Sequence, residues 1–151
     1  MHGYWIRLTP DELADFESNP DWMLDEEVAE EKTFCTDKAW HALDFLLTRQ
    51  GFPVDIVFGE RAVEQADDES DDGPSRYLTP DRVRVAAEAL APMTEESLAR
   101  GVSLADLERE QIYPNVWDEP DFNWVTDFLP EVKVWFQEAA ESGDAMICWV
   151  A

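Results

Sequence analysis

"GYWIRLTPDEL" (residues 3–13) decides the fold, because a strand pattern leads directly into a helix N-terminus. Tyr4, Ile6 and Leu8 alternate with their neighbours, as residues do in a strand with one buried face. Thr9 then begins a Thr-Pro-Asp-Glu run, which combines a capping residue, a proline in the first turn and the glutamate of a capping box. The chain is therefore predicted to start with a strand followed at once by a helix.

The other end of the sequence carries a second strand pattern, "DAMICWV" (residues 144–150), with Met146, Cys148 and Val150 on one face. Strands at both ends, separated by many helices, predict an α+β fold: a single compact domain over residues 1–151, with a small mixed β-sheet. Helices are expected to pack on both faces of that sheet, in a three-layer αβα-like arrangement.

The intervening sequence predicts further elements from caps, breakers and apolar patterns. They are an acidic helix at about 21–31, a helix capped by Thr36 and ended by Gly51 and Pro53, a strand at 54–58, an extended segment at 76–78, a helix after Thr79, brief helices capped by Thr94 and Ser103, and a helix from Asp121 to Ser142 that Pro130 must kink or split.

Charge limits the partners of the protein. The chain has 11 Lys and Arg against 35 Asp and Glu, a formal net charge of −24. Nucleic-acid binding depends on basic side chains that displace counterions from phosphates, so DNA, RNA and anionic membranes are not expected as partners. A basic protein, a polyamine or divalent cations would be attracted; a strongly solvated surface with no partner is the plainer alternative.

The remaining composition favours a cytoplasmic protein. No apolar run reaches the roughly 18 residues that span a bilayer. The N-terminus lacks a basic region followed by an apolar stretch, so no signal peptide is predicted. Cys35 and Cys148 do not form a disulfide framework; both are expected to be small buried apolar residues, and a catalytic pair of Cys35 with His41 is not favoured.

The helix predicted over residues 37–48 has one apolar arc and one polar side. The arc holds Ala39, Trp40, Ala42, Leu43, Leu46 and Leu47. Asp37, His41 and Asp44 share the polar side at spacings that bring side chains together. Phe45 lies on that side too, where solvent would not favour an aromatic ring. His41 is therefore expected to be covered, either as a structural residue or as part of a ligand pocket; full exposure is the third alternative.

Two loops offer further groups to a ligand. Arg76 and Tyr77 end the acidic loop at about 60–75, and Tyr113 and Trp117 lie in an aromatic connection. Arginine beside aromatic rings can bind a carboxylate or stack on a ring, but the same residues can also anchor loops to the core. The candidate ligand-binding residues are Asp37, Trp40, His41, Asp44, Arg76, Tyr77, Tyr113 and Trp117.

The acidic loop itself, "ADDESDDG", matches only the first half of an EF-hand calcium loop. Thr79 stands where the bidentate glutamate is expected, so an acidic surface loop is the favoured interpretation. No metal site, cofactor or catalytic residue is predicted.

The segments "DKAWHALDFLLT", "GPSRYLTP", "IYP" followed by a tryptophan, and "ESGDAMICWV", together with the N-terminal "GYWIRLTPDEL", occur in order across the chain. In this pattern the sequence resembles the YfbM-like family, a bacterial domain-of-unknown-function family. The resemblance implies a compact αβ domain with helices layered on a mixed sheet; it brings no activity, cofactor or catalytic residue.

Two functional hypotheses follow. The first is a cytoplasmic interaction module that neutralises or sequesters a basic protein, as immunity proteins do, and it makes an enzyme the less favoured class. The alternative is a small-molecule-binding protein or enzyme with a pocket formed by His41, Arg76, Tyr77, Tyr113 and Trp117. The sequence does not determine the oligomeric state.

Overall fold

A computed structural model describes residues 1–19, 30–62 and 76–150 of the chain. The strands are β1 (Gly3–Leu8), β2 (Thr33–Asp37), β3 (Arg61–Ala62), β4 (Arg76–Leu78) and β5 (Ala145–Val150). The helices are α1 (Pro10–Ser18), α2 (Trp40–Arg49), α3 (Pro80–Leu90), α4 (Glu95–Ala99), α5 (Leu104–Arg109), α6 (Glu119–Asp127) and α7 (Leu129–Ser142), with a short 3-10 helix at Glu30–Lys32. The α+β class and both terminal strands are confirmed.

The five strands form one sheet in the order β2-β1-β5-β4-β3. The two terminal strands lie at its centre and pair over their whole length, from Gly3 opposite Val150 to Leu8 opposite Ala145. The prediction of a mixed sheet is wrong, because every neighbouring pair described is antiparallel. The direction of each pair depends on contacts between strands that lie far apart in the sequence, such as β1 and β5, and the strand patterns alone do not reveal it.

Side-chain alternation divides the core between the two faces of the sheet. On one face, Ile6, Leu8 and Ile147 pack with Leu13 and Phe16 of α1. On the other face, a larger cluster packs the sheet against α2, α3 and α7, and it includes Trp5, Leu46, Val83, Phe136 and Met146. Helices therefore cover both faces, which is the layered arrangement that the sequence predicts.

The capping motifs determine several helix boundaries. Thr9 is the N-cap of α1 and forms the predicted capping box with Glu12. Thr94 and Ser103 cap α4 and α5 as expected. Pro130 splits the predicted 121–142 helix, because a proline ring is accepted only in a first turn, and α7 starts one residue before it.

Three local predictions are wrong. Residues 54–58 form turns rather than a strand; Val54, Ile56 and Val57 are buried in the core, which satisfies the apolar run without a ladder. Thr36 does not cap α2, since it belongs to β2 and its hydroxyl donates to the Gly3 carbonyl.

The third error concerns the cysteines. Cys148 is buried as expected, but Cys35 is exposed, because it lies on β2, an edge strand of the sheet that the sequence did not predict. Two other predicted features, the acidic helix up to residue 29 and the acidic loop with its partial EF-hand pattern from residue 63, lie outside the described residues. The last two residues of that predicted helix belong to the 3-10 helix.

Candidate functional site

His41 is held in a cluster with two aromatic residues. Its Nδ1 accepts a hydrogen bond from the backbone N–H of Tyr113 at 2.8 Å. Its ring stacks on Trp40, with ring centroids 5.0 Å apart and an angle of 12° between the planes. Trp40 in turn stacks on Tyr113 at 5.6 Å. We call Trp40, His41 and Tyr113 the His41 cluster.

The N-terminus closes one side of the His41 cluster. The Trp40 indole donates to the Met1 carbonyl at 3.2 Å, and the Met1 amino group donates to the Tyr113 hydroxyl at 3.1 Å. Hydrogen bonds of the cluster thus join the first residues of the chain to α2 and to the loop before α6. This geometry is that of a group of residues that holds three segments of the fold together.

The electrostatics of His41 favour the neutral imidazole. Burial lowers its pKa below the usual 6.5, since a charged ring is less well solvated there. A hydrogen bond accepted at Nδ1 also requires that this nitrogen carry no proton. The helix face that Asp37 was expected to share with His41 does not include it, because Asp37 lies on β2, before the helix, and approaches His2 at 3.4 Å.

Asp44 lies on the same helix but faces a different feature, a recess of about 250 Å³. The recess is lined by Asp44, Leu47, Thr48, Phe52 and residues 54–57. Burial and the nearby Asp55 carboxylate raise the pKa of Asp44 to about 6, against a smaller lowering by a hydrogen bond with Thr48. Asp44 therefore takes up a proton at a higher pH than an ordinary aspartate does.

Among the described residues, no hydrogen bond, ion pair or ring contact joins His41 to Arg76, Tyr77 or Trp117. Arg76 is exposed on β4, where it pairs with Cys148 in the ladder. Tyr77 is buried on the sheet face covered by α1, and its hydroxyl donates to Glu17 at 2.7 Å. Trp117 is buried, with its indole donating to the Ile112 carbonyl at 3.0 Å. Tyr77 and Trp117 therefore anchor segments to the core.

A second surface, which the sequence did not predict, is an apolar groove of about 390 Å³ between β2 and α7. It is lined by Phe34, Pro130, Glu131, Val134, Trp135 and Glu138, and we call it the α7 groove. Val134 is 52% exposed and lines the groove together with the partly buried Phe34 and Trp135, so the exposed apolar surface here is continuous rather than a single residue. In the sequence, this groove is indicated by Val134 and Trp135, two apolar residues that fall outside the inward-facing positions of the predicted helix.

The described residues restrict the chemistry that the chain can offer. Within residues 1–19, 30–62 and 76–150, no three His, Cys, Asp or Glu side chains cluster in a way that could hold a metal ion. In the same part of the chain, no helix is both long and apolar enough to cross a membrane.

Comparisons with known proteins agree with the fold. The family model described as Domain of unknown function (DUF1877) matches residues 1–149. The crystal structure of YfbM from Escherichia coli, a protein of unknown function, is similar with a TM-score of 0.71 and 17% sequence identity, and the match covers 100% of both chains. At this identity the likeness shows the fold alone. A search of the curated proteins finds no match.

Proposed function

The chain belongs to the DUF1877 family, which is described only as a domain of unknown function, and we propose from its surface that it is an acidic module that binds a basic protein. The observation that supports this most strongly is the charge of the C-terminal part of the chain. Residues 110–151 contain nine Asp and Glu and a single Lys. Apart from the buried Asp144, all of these acids are exposed. An electrostatic field of one sign increases the association rate with a partner of the opposite charge and disfavours partners of the same charge.

Internal contacts engage many of the basic side chains that could weaken this field. The single lysine of the region, Lys133, donates to the Met93 carbonyl at 2.8 Å. Elsewhere, internal ion pairs join Arg7 to Asp144, Lys32 to Glu12, Arg82 to Glu60, Arg84 to Asp81, and Arg109 to Asp106. The exposed acids of α6 and α7 have no such neighbour among the salt bridges of the described residues, except for Glu138 near Arg7. The negative surface is thus available to a partner.

Neutralisation or sequestration of that basic protein, as immunity proteins achieve it, is the proposed role. An acidic surface can cover the basic surface with which a partner would bind nucleic acid or another acidic target. A reaction is not part of the proposal, because His41 Nδ1, the Trp40 indole N–H and the Tyr113 hydroxyl are engaged in contacts that hold the fold together.

Affinity capture tests the proposal. The immobilised chain is exposed to lysate of the source cell at low ionic strength, and bound protein is released by a salt step. The matched control resins carry two variants with equal charge change. One neutralises exposed acids of α6 and α7 (Asp127→Asn, Glu131→Gln, Glu138→Gln, Glu141→Gln), and the other neutralises exposed acids elsewhere (Glu88→Gln, Glu95→Gln, Glu96→Gln, Glu108→Gln).

We expect one basic protein near stoichiometry on the wild-type and second-variant resins, and much less on the first. The purified protein must rebind the chain, and its own activity must fall when the two are mixed. Retention that is equal on all three resins, or no retained protein, would contradict the proposal.

The small-molecule hypothesis has one supporting observation, the recess beside Asp44. Its two carboxylates and apolar wall would suit a small organic amine rather than the anion that Arg76 was predicted to bind. A thermal-shift screen of amines against the wild type and Asp44→Asn tests this; stabilisation that is unchanged in the variant would exclude the recess.

A further inference from the structure

The α7 groove is open because of its place at the edge of the sheet. β2 is the terminal strand in the order β2-β1-β5-β4-β3, so Phe34 has a neighbouring strand on one side only among the described residues. The inward side of α7 packs in the core through Val132, Phe136 and Ala139. Val134 lies outside this buried set and faces outward beside Phe34, in the groove.

The apolar lining of the groove is held in place by aromatic contacts. The Phe34 ring lies 5.6 Å from the Trp135 ring and 6.5 Å from the Phe128 ring. The Trp135 indole donates to the Met146 sulfur, and the Arg7 guanidinium lies over its ring at 5.5 Å. A groove with such support is formed before any partner arrives, which reduces the entropy lost on binding.

The rim of the groove is negative. Glu131 and Glu138 line it and are exposed. Glu138 shares Arg7 with Asp144, at 3.8 Å and 2.8 Å, whereas Glu131 has no partner among the salt bridges of the described residues. Lys133, the one lysine of α7, donates to Met93 and is not among the lining residues.

From the apolar lining and the two glutamates together, we infer that the α7 groove binds an apolar side chain of the basic partner, flanked by lysine or arginine residues that meet Glu131 and Glu138. This inference rests on the proposed function and adds to it the place and the chemistry of contact. A second copy of this chain is the poorer occupant, because a symmetric contact would place the glutamates of the two copies near one another.

The test uses two synthetic peptides with a fluorescent label, Lys-Lys-Leu-Lys-Lys and Lys-Lys-Ser-Lys-Lys, and measures binding by anisotropy at low salt. The chains compared are the wild type, Val134→Arg, and Val116→Arg as a control with the same charge change. Val116 is 77% exposed and outside the groove. Val134→Ala, which only shortens the side chain, checks that loss of binding does not come from misfolding.

We expect the wild type and Val116→Arg to bind the leucine peptide about tenfold more tightly than the serine peptide, because the groove removes the apolar leucine side chain from water and gains nothing comparable from serine. Val134→Arg should abolish the preference, and Val134→Ala should reduce it. If both peptides bind equally to all chains and salt weakens them alike, the groove inference is wrong while the acidic module stands.

Two other results would also overturn the inference. Binding of neither peptide at low salt would contradict the proposed function and the groove together. Self-association of the wild type that Val134→Arg abolishes, measured by sedimentation, would identify the occupant as a second copy.

Discussion

Replacement of His41 tests whether the cluster around it is structural. His41→Ala removes the acceptor of the Tyr113 N–H and the ring that stacks on Trp40. A lost hydrogen bond to a half-buried amide costs about 1–2 kcal/mol, and an aromatic stack about 0.5–1 kcal/mol. The free energy of unfolding should therefore fall by about 2 kcal/mol, which lowers the Tm by roughly 4–8 °C in a domain of this size.

The conservative variant His41→Asn separates the hydrogen bond from the stack. The amide oxygen of asparagine can occupy the position of Nδ1, so this variant should recover about 1 kcal/mol relative to His41→Ala. Both variants are measured by urea unfolding followed by circular dichroism, with Thr48→Ala as a control on the same helix.

The same substitution predicts a change in pH dependence. The folded state keeps the His41 imidazole neutral with a lowered pKa, so its contribution to stability is complete above pH 6.5. That contribution should be lost as the pH falls below 6.5 toward the folded-state pKa, and in both variants this part of the pH dependence should disappear. A His41→Ala protein as stable as the wild type at pH 7.5 would refute the structural interpretation.

Other predictions concern single residues. Asp44→Asn should stabilise the protein by about 1–2 kcal/mol at pH 8 and by little at pH 4. The pKa of Asp44 rises from 3.8 to about 6 on folding, so ionisation of this carboxyl destabilises the folded state as the pH rises through that range. Urea unfolding at both pH values measures the difference. Gly3→Ala should lower the unfolding free energy by about 1–3 kcal/mol, because the new Cβ would lie 2.6 Å from the Trp40 Cβ; equal stability by urea unfolding would contradict it. A thiol reagent such as DTNB should label Cys35 in the native protein and Cys148 only after unfolding, because one thiol is exposed and the other buried with a pKa well above its usual value; rapid labelling of both would contradict this.

The sequence predicts the fold best where local chemistry determines it. The capping boxes at Thr9 and Ser103 and the glycine at 143, with φ of +73°, define helix ends by hydrogen bonds within a few residues. The terminal strands could be predicted because their side chains alternate between the two faces of the sheet, and this alternation is visible in the sequence.

The failures occur where distant contacts decide. The apolar side chains of residues 54–58 are explained by burial in the core and not by a strand. Their backbone turns because the Asp55 carboxylate accepts a hydrogen bond from the Phe58 N–H and the Trp5 indole donates to the Ile56 carbonyl. The sequence does not predict β2 because this segment is short and its residues alternate only weakly. Pairing with β1 stabilises it as a strand in the folded protein.

The candidate site shows the same division. His41 was found from its helix face, but its partner, the Tyr113 backbone, is 72 residues away and carries no side-chain signal. The α7 groove requires Phe34 and Val134 to meet across the edge of the sheet, and only the folded chain brings them together.

The most direct test of the acidic-module account is the salt dependence of binding between the purified chain and the basic protein recovered by capture. Isothermal titration at a series of salt concentrations, after nuclease treatment, measures it. The account predicts a one-to-one complex whose affinity falls steadily as salt rises, with a steeper fall for the wild type than for the variant neutralised on α6 and α7. An affinity that does not change with salt, or the absence of any complex at low salt, would contradict it.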